Sequence, residues 1–281
     1  MVKFGPSSGS IFAAFLPDPA SKEQSMSTPA APSVVPPGNL SVQLYTVRNA
    51  LAGDYDGTLE QVAGFGYTQV EPFQFIKFVD QLKKGLSRHG LAAPTAHVGL
   101  LAGDQDEIFA AAKELGIETV IDPHVPEARW QSEEDIIQIA GELNAAAAKA
   151  ADLGLRVGYH NHSHELRSMI NGRHALEVAV DHLAPEVVLE VDTYWAYAGG
   201  ADVVPLLQRL GDRVVALHIK DGDGTLDTKK QVPVGSGALP VWDYIAAAPD
   251  ALDVVELDDS EGDLVDAVRV SRDYLAGTGA V

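Results

Sequence analysis

Three imidazoles and a carboxylate stand in the run Gly158-Tyr-His-Asn-His-Ser-His-Glu165, directly behind the apolar segment Leu155-Arg-Val-Gly-Tyr159. Nitrogen and oxygen donors gathered at the end of a β-type run have the chemistry of a metal site. Three other segments end the same way. Val187-Val-Leu-Glu-Val-Asp192, Val214-Val-Ala-Leu-His218 and Val254-Val-Glu256 each run several β-formers into one Asp, His or Glu. The four ends offer His160, Asp192, His218 and Glu256 as metal ligands. Two imidazoles and two carboxylates suit Mn²⁺, Co²⁺, Fe²⁺, Ni²⁺ or Zn²⁺, and suit Ca²⁺ poorly because it takes six or more oxygens. The chain has no cysteine, which removes disulfides, thiolate catalysis and zinc–thiolate sites together. A divalent ion with open coordination polarises a carbonyl and acidifies the adjacent C–H, and a nearby carboxylate can then move the proton.

Such ligands converge only if the elements carrying them do. After Pro37 the chain alternates β-type runs with helical patterns, the signature of repeated βα units and a parallel sheet. Eight strands are expected: 40–45, 68–71, 93–97, 119–122, 156–160, 187–192, 214–218 and 254–257. Between them lie segments such as 133–153, where the spacing of Ile136, Ile137, Ala140 and Leu143 follows a helical period and Ser132 stands as N-cap. The connection after the seventh strand carries Gly222, Gly224, Gly235 and Gly237 and is expected to fold over the site. A short helix over 242–248 follows. Eight units match the usual size of a closed (β/α)₈ TIM barrel, about 250 residues, with active sites at the carboxyl ends of the strands. A doubly wound sheet would carry a Gly-rich phosphate turn after the first strand, and Leu44-Tyr-Thr-Val-Arg48 contains no glycine.

The whole chain has 281 residues and a mass of 29.8 kDa, with 46% hydrophobic residues, enough for a large core. Residues 1–37 are rich in Pro, Ser and Ala and are expected to form a tail ahead of a barrel domain over 38–281. The apolar piece Ile11-Phe-Ala-Ala-Phe-Leu16 is too short for a secretory core, so a cytoplasmic location is expected. No stretch reaches the roughly 18 apolar residues of a membrane span. The formal net charge of −20 opposes a nucleic-acid partner.

The motifs Ser41-Val-Gln-Leu-Tyr-Thr-Val-Arg48, Gly66-Tyr-Thr-Gln-Val-Glu71, Tyr159-His-Asn-His162, Asp192-Thr-Tyr-Trp195, His218-Ile-Lys-Asp221, Pro233-Val-Gly-Ser-Gly237 and Val255-Glu256, in this order, resemble the sugar phosphate isomerase/epimerase family of xylose isomerase-like barrels. The resemblance covers about residues 39–276. It implies a single divalent ion, foremost Mn²⁺, held by Glu, Asp, His and Glu at the ends of strands five to eight. Asp192, His218 and Glu256 match the last three positions. His160 stands where family members often have Glu, which removes one of the two carboxylates that relay protons in the ketose epimerases. The resemblance further implies a small carbohydrate substrate and a homodimer.

The leading reading is therefore an isomerase or epimerase of a sugar or keto-sugar working through an enediolate. Glu256 removes the proton beside the carbonyl, and Glu165, His162 or His97 serves the other face. Glu71, His97, His124, Trp195 and Lys220 are candidate substrate contacts. The alternative roles are a pair with Arg48 for Glu71 and a pair with a rim carboxylate for Lys220. Asp258 and Asp259 read as solvated loop charges. The alternatives are a lyase or dehydratase of the same fold, which expels a β-leaving group from that enediolate, and a barrel that binds sugar without catalysis.

Overall fold

The computed structural model describes residues 1–3 and 34–278. The expected tail over 1–37 therefore lies largely outside the described residues. From Val35 onward the chain is already packed: Val35 is buried and its N–H donates to the Leu275 carbonyl at 2.8 Å.

Seven parallel strands form one sheet: Leu40–Val42, Thr95–His97, Thr119–Asp122, Arg156–His160, Val187–Asp192, Val214–Ile219 and Leu252–Val255. Their spatial order follows the sequence, and the first strand pairs with the last, Leu40 facing Asp253. The expected second strand is the one departure. Residues 68–73 form isolated bridges only, Gln43 with Glu71, Gln69 with Ala92 and Phe73 with His97. This segment still joins both neighbours. Glu71 N–H donates to the Val42 carbonyl at 2.8 Å, and on the other side Val70 N–H donates to Ala92 and His97 N–H to Pro72. Pro72 brings no N–H of its own, so a regular ladder is broken there while the curl closes.

The strands are buried on both faces, as parallel strands between a barrel interior and an outer helix layer must be. The helix Glu133–Ala151 starts as expected from Ser132, whose Oγ accepts from Asp135 N–H at 3.2 Å. Its Ile136, Ile139, Ala140, Leu143, Ala146, Ala147 and Ala150 form the face turned to the sheet. The short helix expected near 242–248 spans Val241–Ala247. Among the described residues no helix is long and apolar enough to cross a membrane.

Two local devices aim the strand ends. The ladder between Val187–Asp192 and Val214–Ile219 slips at Leu189/Glu190, a bulge that leaves Asp192 opposite His218. Asn161, just past the strand Arg156–His160, accepts from Asp192 N–H at 3.1 Å and donates to the Asp192 carbonyl, clamping two neighbouring ends together.

Candidate metal centre at the barrel mouth

Asp192 ends its strand as the N-cap of the helix Thr193–Ala198, Oδ1 accepting from Trp195 N–H at 2.8 Å. That bond fixes the carboxylate and leaves Oδ2 facing inward, 2.8 Å from Lys220 Nζ and 3.8 Å from His160 Nε2. His218 Nδ1 lies 2.7 Å from Glu256 Oε2. One donor atom from each of His160, Asp192, His218 and Glu256 lies within 4.8 Å of the others, and all four residues are buried. This donor set of two imidazoles and two carboxylates, gathered from four adjacent strand ends, fits a borderline divalent ion.

Beneath it lies a second layer. Glu190 shares a strand with Asp192 two residues earlier, so both side chains point to the barrel interior. Its Oε2 takes a short contact from His97 Nε2 and lies 3.0 Å from His160 Nδ1 and 3.1 Å from His218 Nε2. The three rings pack with centroids 4.5 to 5.1 Å apart. Glu71 Oε1 lies 2.8 Å from His218 Nε2 and accepts from Gln43 Nε2 at 2.7 Å.

The charges sort themselves by neighbour. Burial alone would lower His218, but Glu190 and Glu256 raise its pKa well above the ordinary value. Burial and the adjacent His218 push His160 down to about 3, so its ring is neutral. Burial works to raise Glu256, yet Lys220 and His218 hold it well below the usual carboxylate range. Burial pushes Asp192 up to about 6 despite Lys220 and His218. Lys220 is itself fully buried, with Asp192, Glu256 and Asp258 at 2.7 to 2.8 Å. These three carboxylates hold its ammonium charged against the cost of burial.

Above the cluster opens a cavity of ≈ 370 Å³ whose walls include His97, His124, His160, His162, Glu256 and Asp258. Tyr45 and Phe73, packed edge to face at 5.4 Å, form an apolar wall beside Gln74. Gln74 adopts the left-handed conformation, φ 44° and ψ 39°, which a side chain other than glycine rarely takes. His124 and His162 are shared with an adjoining, more open cavity of ≈ 330 Å³ that also touches Trp195 and Leu226.

The sequence-derived candidates fall into three positions. His97, His124, His160, His162 and Glu256 line the main cavity, and Trp195 lines the adjoining one. Glu71 and Lys220, expected as substrate contacts, are fully buried behind those walls and engaged with partners of the site. The suggested Glu71–Arg48 pair does not form, since Arg48 donates instead to the Tyr45 and Asp258 carbonyls. Glu165, expected as a proton shuttle, is fully buried outside both cavities. Its oxygens accept from Tyr159 Oη at 2.6 Å and His162 N–H at 2.9 Å, and burial raises it to about 7. That placement makes it the support of the turn carrying His162. Asp258 departs the other way: it lines the cavity, 2.7 Å from Lys220 Nζ, while Asp259 pairs with exposed Lys229.

Glu190, Tyr45, Phe73 and Gln74 were not singled out from sequence, and Asp258 was read there only as a solvated loop charge. For Glu190 a signal was present: a charged residue in phase with Asp192 inside an otherwise apolar strand. The others sit in loops whose approach to the mouth depends on the closed barrel.

A parallel barrel with a buried His, Asp and Glu cluster at its carboxyl end defines the class: a (β/α)₈ barrel with a candidate metal centre. Within that class the chain belongs to the xylose isomerase-like TIM barrel family, whose profile matches residues 59–272. It is 24% identical over 198 residues to an inosose dehydratase from Geobacillus kaustophilus, a match spanning 59% of this chain and 61% of that relative's length. A sugar phosphate isomerase/epimerase from Parabacteroides distasonis superposes with a TM-score of 0.72 at 22% identity, over 88% of this chain and 95% of that one. The IOLI protein, solved with a bound zinc atom, gives a TM-score of 0.64 at 16% identity, over 86% and 100% of the two chains.

Proposed function

We propose that this protein is a metal-dependent isomerase or epimerase of a sugar or keto-sugar. The carrying observation is that Glu256, ionised by Lys220 and His218, and His162, kept neutral by burial, stand on the wall of one cavity that opens onto the donor cluster. Both are in the protonation state of a proton acceptor.

His160, Asp192, His218 and Glu256 would hold the ion, with Mn²⁺ foremost and Zn²⁺, Co²⁺, Fe²⁺ or Ni²⁺ fitting the same donors. Bound there, a divalent ion polarises a carbonyl and acidifies the neighbouring C–H. The chain's own residues supply the rest. Glu256 is placed to take the proton beside the carbonyl. His162, neutral and on another side of the cavity, is placed to take a proton from a substrate hydroxyl and, once charged, to return it to the enediolate. Asp258 and His124 offer polar atoms for substrate hydroxyls, and the Tyr45–Phe73 wall offers an apolar surface for a sugar ring face. Glu165 and Tyr159 hold the turn on which His162 sits.

A second reading has an observation of its own. The inosose dehydratase similarity supports a lyase that begins with the same proton removal and continues by expelling a β-hydroxyl as water. One experiment separates the two. The Mn²⁺-loaded protein is incubated in D₂O with a panel of ketoses and keto-inositols, followed by mass spectrometry and NMR. Deuterium beside the carbonyl together with a changed sugar supports the isomerase, whereas a product lighter by one water supports the lyase. A panel without exchange or elimination under any of the fitting metals would sink both.

A further inference from the structure

Ligation through His160 poses a geometric problem. A carboxylate can ligate through either oxygen, but an imidazole ligates only through the ring nitrogen that lacks the proton, so its other nitrogen must be held as a donor. The structure contains a group placed to do this for two rings at once. Glu190 Oε2 can only accept, and it faces His160 Nδ1 at 3.0 Å and His218 Nε2 at 3.1 Å. The opposite nitrogens face the donor cluster: His160 Nε2 lies 3.8 Å from Asp192 Oδ2, and His218 Nδ1 lies 2.7 Å from Glu256 Oε2. Glu71 reinforces the arrangement at His218, and His97 contacts the same Glu190 oxygen from a third side.

We infer that Glu190 is a positioning residue: by accepting from the inner nitrogens of His160 and His218 it turns their outer nitrogens to a divalent ion. Its negative charge stands one layer deeper in the barrel than the donor cluster, on the same strand as Asp192. The backbone is built for this. His160 and Glu190 are direct partners in the ladder between their strands, and the bulge at Leu189/Glu190 falls at that very residue. Glu190 is fully buried and does not line the cavity, so a substrate contact is not its task.

The inference rests on the metal-dependent reading above, and the test is direct Mn²⁺ binding, which does not involve turnover. Mn²⁺ affinity is measured by titration for the full chain and for Glu190→Gln, His160→Glu and the double variant, with thermal melts to establish folding. Removing a carboxylate that orients a ligating histidine typically costs about 10- to 100-fold in affinity, and E190Q is expected to lose that much. With Glu at position 160 no tautomer at that residue has to be held, so the same change should cost distinctly less in the H160E background. Glu190→Asp, which withdraws the carboxylate by one methylene while keeping its charge, should show the same unequal losses and serves if E190Q does not fold.

Unaltered affinity in folded E190Q, or equal losses in both backgrounds, overturns the role of Glu190 and leaves the functional reading standing. His97, His160, Glu190 and His218 also lie within 4.8 Å of one another. A second tightly held equivalent of Mn²⁺ that disappears in E190Q would therefore make Glu190 a ligand itself and overturn the proposal. A wild-type chain that takes up no Mn²⁺ sinks the metal-dependent reading and this inference together.

Discussion

At the scale of single residues, the site is governed by which buried groups have partners. His162 is neutral, borders the cavity and has a buried Nδ1 without a hydrogen-bond partner among the described residues. Replacing it by Ala should lower kcat by about 10²- to 10⁴-fold, the usual worth of a positioned acid–base group, while leaving bound metal unchanged. Metal analysis beside steady-state kinetics checks this, and loss of metal in parallel with activity would move His162 into the ligand set. Asp253 illustrates the opposite case, a buried carboxyl without an ion pair among the described residues. Burial pushes it up to about 7, whereas in the unfolded chain it titrates near the ordinary value of about 3.9. The folded state holds its proton more tightly, so its stabilising contribution is complete below about pH 4 and is lost as pH rises through 7. Asp253→Asn should flatten that decline and raise Tm at pH 8. A melting series from pH 4 to pH 8 with the wild-type slope would contradict the assignment.

At the scale of elements, one carboxylate organises the loop after the strand Val214–Ile219. Asp221 accepts from the N–H groups of Gly222, Gly235, Gly237 and Leu239 at 2.8 to 3.1 Å, tying the 233–239 turn to the start of the loop. Gly237 has no room for a side chain: a Cβ there would meet Asp221 Oδ1 at 2.1 Å and the Gly222 nitrogen at 2.4 Å. Gly237→Ala should therefore cost about 1–3 kcal/mol, by analogy with overpacked cores, and speed proteolysis within 233–239. A Tm equal to wild type would show that the loop is not held this way. The strand ends were legible in sequence because each β-run stops at one polar residue, and His160, Asp192 and His218 lie within the observed strands while Glu256 follows one directly. The second strand was legible as a position but not as a ladder, since Pro72 disrupts regular pairing in a way that apolar periodicity does not report. For Lys220 the pair with a rim carboxylate, offered beside substrate contact, is the arrangement seen, and the depth of Glu71 was not legible because sequence gives the face of a residue and not its depth. Both point to the interior, and only the closed barrel decides that one lies under His218 and the other between three carboxylates.

At the scale of the whole molecule, the alternation of strand and helix made the barrel readable from 281 residues with a net charge of −20. What it could not supply is the register that makes Glu190 the ladder partner of His160, or the curl that brings Tyr45, Phe73 and Gln74 to the mouth. The fold gathers donors from four adjacent strand ends, and the central claim is that they hold one divalent ion. The most direct measurement is elemental analysis of untagged protein after incubation with Mn²⁺ and dialysis, alongside Asp192→Ala, with circular dichroism to establish folding. The account predicts about one equivalent per chain in the wild type and a large loss in D192A. A wild-type chain that retains no metal, or a folded D192A that retains it fully, would contradict the account.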